Sequence, residues 1–125
     1  MERCGPQDRR RQFRRVCARY AQGGGEALKV TVIGIFAVAA EKQQDLVEAI
    51  NRAGEVVREL PGFLGSALYA SVDGTRVVNQ SHWTSVESHA AVLEDPEAMA
   101  LAEVMFSIAK PDPIICVERG EFSPA

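Results

Sequence analysis

Several features that would narrow a function at once are scarce here. Three cysteines, Cys4, Cys17 and Cys116, stand in 125 residues. An odd number without CxxC spacing suggests neither a disulfide framework nor a zinc site, and a reducing, cytoplasmic setting is the simpler expectation. The two histidines, His82 and His89, make no metal-ligand pair. No HExxH, GxSxG or Gly-rich phosphate loop occurs, and the βαβ fingerprint of flavin and nicotinamide folds is missing. An enzyme built on this chain is expected to use no metal and no tightly bound cofactor. The uncharged run Val30 to Ala40 is 11 residues, against the roughly 20 that a membrane-spanning helix needs. No membrane association is expected.

With 46% apolar residues, the chain is long enough for one core and too short for two. Its net charge of −3 hides an asymmetry. Residues 1–20 carry seven arginines against Glu2 and Asp8, a net of +5, and the remainder carries seven basic against 15 acidic residues, a net of −8. Residues 1–27 therefore read as a basic, disordered or loosely helical extension, and 28–125 as the folded domain. Phe13, Val16 and Tyr20 recur at helical spacing within the arm, and Gly23-Gly24-Gly25 acts as a joint after it. The body adds no basic patch or aromatic platform, so no nucleic-acid partner is expected. Gly-Gly-Gly-Glu is encoded by a purine-rich string like a bacterial ribosome-binding sequence, just ahead of Leu28 and Val30. This leads to the expectation that translation starts near Leu28.

Val30 to Val38 is rich in β-branched residues and apolar on both alternating faces, which predicts a strand covered on both sides. Leu46, Ile50, Ala53, Val57 and Leu60 then step by four and three, the stripe of an amphipathic helix over 39–61. Phe63 to Val72 and Thr75 to Thr84 form two strand-like runs joined by Asp73-Gly74, a strong hairpin signal. Ser85 is placed to cap a helix that reaches about Leu93, breaks near Asp95-Pro96 and resumes over 97–109. Pro111 and Pro113 are expected to end it, with a last strand over 114–119. The order βαββαβ is that of an α+β, ferredoxin-like fold: four antiparallel strands with helices on one face. Ile33 and Ile35 alternate with Val30, Val32, Phe36 and Val38, so the face without helices is apolar too. A homodimer with sheets packed face to face covers it most simply.

The strand Val77 to Trp83 is the informative stretch for chemistry. Val77, Asn79, Ser81 and Trp83 share one face; Val78, Gln80 and His82 share the other. An indole and an amide on one face frame a flat ligand, the ring stacking and the amide bonding a carbonyl or hydroxyl. A buried Trp is also ordinary core, whereas an Asn among apolar neighbours must find partners. His89, in the first turns after Ser85, is placed to reach the same end of the sheet. His82 reads as an interface or surface residue. Met99, Met105 and Phe106 form an adaptable apolar cluster that reads as core before pocket.

Pro61-Gly62-Phe63-Leu64, the hairpin Asp73-Gly74-Thr75, Val77-Val78-Asn79 with Trp83, and Ser85 with Glu87 together resemble the antibiotic biosynthesis monooxygenase family. The likeness covers residues 30–121 and is nearest to the actinorhodin-type and nogalamycin-type enzymes. It implies a dimeric α+β barrel that oxidises an anthrone-like aromatic polyketide or related quinol to a quinone with O2, without a cofactor. It implies Asn79 and Trp83 as catalytic residues, with His89 for proton transfer, and Gly34, Phe36, Ser66, Met105 and Phe106 against the substrate. There are departures. Gly34 stands where some members carry an Asn, Ala70 where the actinorhodin-type enzyme has a His, and His89 where that enzyme has a Tyr. The haem-degrading branch is disfavoured by Gly34 and the short spacing from Trp83 to His89. The alternative is a non-catalytic dimeric binding module for a flat aromatic metabolite.

Overall fold

The computed structural model describes residues 28–125. The basic arm, its helical spacing and its glycine joint lie outside the described residues. The order is β1 (Val30–Ala37), α1 (Gln43–Val57), β2 (Phe63–Ala70), β3 (Arg76–Trp83), α2 (Val86–Ala90), α3 (Pro96–Ile108) and β4 (Lys110–Cys116), with single 3₁₀ turns before α1 and after α2. The strands form one antiparallel sheet in the order β2-β3-β1-β4. This is the ferredoxin-like α+β fold expected from the periodicities, with the helices on one face.

Register explains how the strands build a floor. Leu68, Asn79, Gly34 and Pro113 are successive partners across the four strands. Ser66, Ser81, Val32 and Ile115 make the next row. Because side chains alternate, both rows point toward the helices. Two apolar clusters close the layer. Phe36, Val38, Leu46, Ile50, Val77 and Ala109 form one. Val30, Val32, Trp83 and Ile115 form the other. Leu46 and Ile50 from α1 are almost wholly buried, and each such side chain contributes roughly 1.5–3 kcal/mol.

Helix ends follow local chemistry. Ser85 caps α2 reciprocally with Ser88: Ser88 N–H donates to Ser85 Oγ at 3.1 Å and Ser85 N–H to Ser88 Oγ at 3.2 Å. Asp95 caps α3 by accepting from Ala98 N–H at 2.9 Å, and Pro96 fills the first helical position, where no N–H is needed. Gly62 has φ +88, and a Cβ there would collide with the Ser88 side chain. Only glycine lets this turn press against the start of α2, which in turn carries His89.

Several boundaries differ from expectation. α1 spans Gln43–Val57, shorter than the expected 39–61, with the 3₁₀ turn Ala40–Lys42 ahead of it. The last strand runs Lys110–Cys116, starting before both prolines and not at Ile114, and ending short of the expected residue 119. β4 lies at the sheet edge, and prolines two residues apart lose their N–H on the same side of a strand, so both fit the unpaired edge. The hairpin loop is also wider than Asp73-Gly74 alone. Ser71 N–H donates to Arg76 O at 2.9 Å and Gly74 N–H to Ser71 O at 3.0 Å. The Asp73 carboxylate gathers Ser71 Oγ, Thr75 N–H and Thr75 Oγ1, which holds its pKa down at about 2. These bonds favour the longer loop over a two-residue turn. Among the described residues no helix is long and apolar enough to cross a membrane.

Candidate active site

Between the sheet and the helices lies a cavity of about 200 Å³. Its floor is the Asn79 row and the Ser81 row, its roof is α1 and α3, and Trp83 and His89 stand at one end. Asn79, Trp83, His89, Gly34, Phe36, Ser66, Met105 and Phe106 all line it. Met99 lines it as well, so the methionine and Phe106 cluster forms cavity wall and not only core. The polar side chains of the lining are Asn51, Ser66, Asn79, Ser81 and His89, with no Asp, Glu, Lys or Arg among the described residues.

Strand β3 positions the centre of the site. Among the described residues, no protein group hydrogen-bonds the Asn79 amide, which is half-buried over the cavity. Such an amide carries two donors and an acceptor for a ligand. Opposite it, Gly34 leaves the floor open: a Cβ there would sit 3.6 Å from Phe36 Cε2, in ordinary contact, and a longer side chain would enter the cavity.

Trp83 is 1% exposed. The Phe63 ring meets its indole edge-to-face at 5.3 Å, and the His89 ring at 5.4 Å with an interplanar angle of 65°. Trp83 therefore belongs to the core and to the cavity wall at once, so the two readings of this residue do not exclude each other. His89 is buried, and desolvation of its charged form pushes its pKa down to about 4. At neutral pH it is an uncharged imidazole, able to accept a proton briefly but not to hold one. On the other face of β3, Gln80 Nε2 donates to His82 Nε2 at 3.4 Å, which leaves Nδ1 to donate to Thr31 Oγ1 at 2.9 Å. Among the described residues no three His, Cys, Asp or Glu side chains cluster.

The antibiotic biosynthesis monooxygenase family model matches residues 29–104. The chain belongs to that family. Its activity class is that of a monooxygenase. Over 93 residues it is 33% identical to the tetracenomycin-F1 monooxygenase of Streptomyces glaucescens, covering 74% of this chain and 83% of that protein. The ActVA-Orf6 monooxygenase of Streptomyces coelicolor, solved with nanaomycin D, superposes with a TM-score of 0.65 at 32% identity, over 79% of this chain and 94% of that one. SnoaB, a cofactor-independent oxygenase of Streptomyces nogalater, has a TM-score of 0.67 at 19% identity, over 78% and 100%. The last shows the shared fold.

Two polar residues of this family member's cavity, Asn51 and Ser81, carry little signal in the sequence. Asn51 stands exposed on α1 at the mouth. Its signal is faint: an uncharged amide beside the buried stripe, where Glu48, Arg52 and Glu55 otherwise supply charge. Alternation puts Ser81 on the cavity face, but residue type alone gives it no role. Its position two residues before a Trp on the same face was the available clue.

Proposed function

We propose that this monooxygenase oxidises an anthrone-like aromatic polyketide or a related quinol to a quinone, using O2 and no cofactor. The observation that carries the reading is the cavity wall: aromatic and aliphatic side chains, with every polar group uncharged at neutral pH. Such a pocket suits a flat, apolar ring system with a few oxygens. It also supplies what the chemistry asks of a protein.

An anthrone carries an acidic C–H next to its rings. Loss of that proton gives an electron-rich enolate, which passes one electron to O2. The two radicals combine to a C–O–O⁻ group, which takes up a proton. Breaking the O–O bond and the remaining C–H bond then gives a C=O and one water. One oxygen atom enters the product and the other leaves as water. Asn79 donates a hydrogen bond to the developing oxyanion, where a preorganised donor is worth most. Trp83 holds the ring plane and shields the oxygen intermediates. His89 accepts the C–H proton in passing and, as the conjugate acid of a weak base, releases it. Gly34, Phe36, Ser66, Met105 and Phe106 shape the space around the rings. The enzyme acts as a homodimer joined through the sheet face without helices, where Ile33, Ile35 and Val78 are half-buried and Tyr69 and Ile114 exposed.

The test is oxygen uptake by chelator-treated protein with dithranol, a simple anthrone. Quinone formation well above autoxidation, with one O2 consumed per anthrone, is the expected result. Saturable binding without turnover would assign the chain to a non-catalytic binding role instead.

A further inference from the structure

Ser81 lies in the centre of the cavity floor, 9% exposed, between Val32 on β1 and Ser66 on β2. A serine hydroxyl has one proton to give and two lone pairs to accept with. One lone pair is taken: Trp83 Nε1–H donates to Ser81 Oγ at 3.0 Å. Among the described residues, no group accepts the Ser81 proton in return.

Two consequences follow from that bond. An indole has a single polar hydrogen and no acceptor, so Trp83 has no donor left for a ligand while it bonds Ser81. A hydroxyl that accepts a hydrogen bond is also polarised into a better donor, more so where water is excluded. A buried hydroxyl with an unused proton against an apolar cavity requires an acceptor from whatever fills the cavity.

We propose that the Ser81 hydroxyl, and not the Trp83 N–H, is the hydrogen-bond donor at the Trp83 end of the cavity, and that it binds the substrate oxygen on which the enolate charge develops. Trp83 then acts through Ser81, as a positioning residue that fixes the hydroxyl and sharpens its donation. Asn79, two residues along the same face, serves a second oxygen of the ring system. The assignment rests on reading this cavity as the oxygenation site. It names a specificity rule as well: the substrate must present an oxygen acceptor at the Ser81 position, so a ring system lacking it should be a poor substrate.

The experiment compares Ser81→Ala, Ser81→Thr and Trp83→Phe for dithranol oxidation, with rates counted per folded molecule by thermal melts. If Ser81 is the donor, Ser81→Ala lowers kcat about tenfold or more with little change in KM, as expected for one hydrogen bond to a charged oxygen. Ser81→Thr keeps the hydroxyl and retains most of the activity. Trp83→Phe loses less than Ser81→Ala. If Trp83 is the donor, the order reverses, because Ser81→Ala frees the indole N–H; unchanged or raised turnover in Ser81→Ala overturns the proposal.

A readout without turnover separates this from the assignment of the activity. Trp83 is the single tryptophan, so resonance Raman of the indole reports its N–H bond directly. The hydrogen-bond-sensitive indole band should shift to the position of a free N–H in Ser81→Ala and keep its wild-type position in Ser81→Thr. The absorption band of bound 1,8-dihydroxyanthraquinone should shift between wild type and Ser81→Ala. An anthraquinone shift in protein that does not oxidise dithranol would retain the Ser81 assignment and discard the oxygenation. An identical band in both proteins, or no binding by wild type, would overturn the Ser81 assignment.

Discussion

On the helix side of β3 stand Val77, Asn79, Ser81 and Trp83; on the other side stand Val78, Gln80 and His82. Each face meets one histidine, and the two are treated differently. His82 lies among polar partners, bonded at both ring nitrogens by Gln80 and Thr31. His89 is packed from α2 against the Trp83 ring and buried, which holds it neutral. One face buries Ser81, Trp83 and His89 and lines a cavity with amide and hydroxyl groups. The other keeps a polar row within an apolar surface, suited to another protein face. The two-residue period of a strand places these environments one residue apart. Substitutions at neighbouring positions should therefore have unlike effects.

The largest effect is expected on the cavity face. Trp83→Ala removes an almost fully buried aromatic ring and should lower stability by about 3–5 kcal/mol, read by denaturant unfolding. Trp83→Phe should cost far less stability, which isolates its effect on turnover.

Next is a pH effect on stability through His89. Its folded pKa of about 4 lies below the usual 6.5, so the unfolded chain binds the proton first as pH falls. The contribution is complete above pH 6.5 and is lost progressively down to about 4. It should amount to something on the order of 3 kcal/mol, read as the difference between wild type and His89→Gln unfolding across that window. The same value predicts that the rate profile shows no inflection from His89 between pH 5.5 and 8. An inflection near 6.5 that vanishes in His89→Gln would mean the imidazole is solvated during catalysis.

The smallest effect on the fold is expected from Val78→Thr on the open face. The protomer should lose about 1 kcal/mol or less. Its measurable consequence should be weaker self-association in sedimentation, with turnover per assembled dimer unchanged.

Much of the fold was legible because its signals are local. The change from period two to period 3.6 marks β1 and α1, and Ser85 and Asp95-Pro96 mark the helix starts. The start of β4 was not, because proline reads as a strand breaker unless the strand is known to sit at an edge. The same distinction holds for the site. Asn79 and Trp83 stood out by residue type on one alternating face. Ser81 did not, since its meaning lies in a 3.0 Å bond from the indole and in the row that pairs it with Ser66. Asn51 reaches the cavity mouth through the placement of α1 over the sheet, which no local pattern encodes.

The most direct test of the account compares Asn79→Ala with Gln80→Ala, adjacent residues on opposite faces. The measurement is kcat/KM for O2-dependent quinone formation from dithranol by chelator-treated protein, corrected for autoxidation and for the folded fraction. Asn79→Ala should lose about 1.5–4 kcal/mol of transition-state stabilisation, roughly ten- to a thousandfold in rate. Gln80→Ala should match wild type. Equal rates in the two variants, or a greater loss in Gln80→Ala, would contradict the assignment of the chemistry to the cavity face.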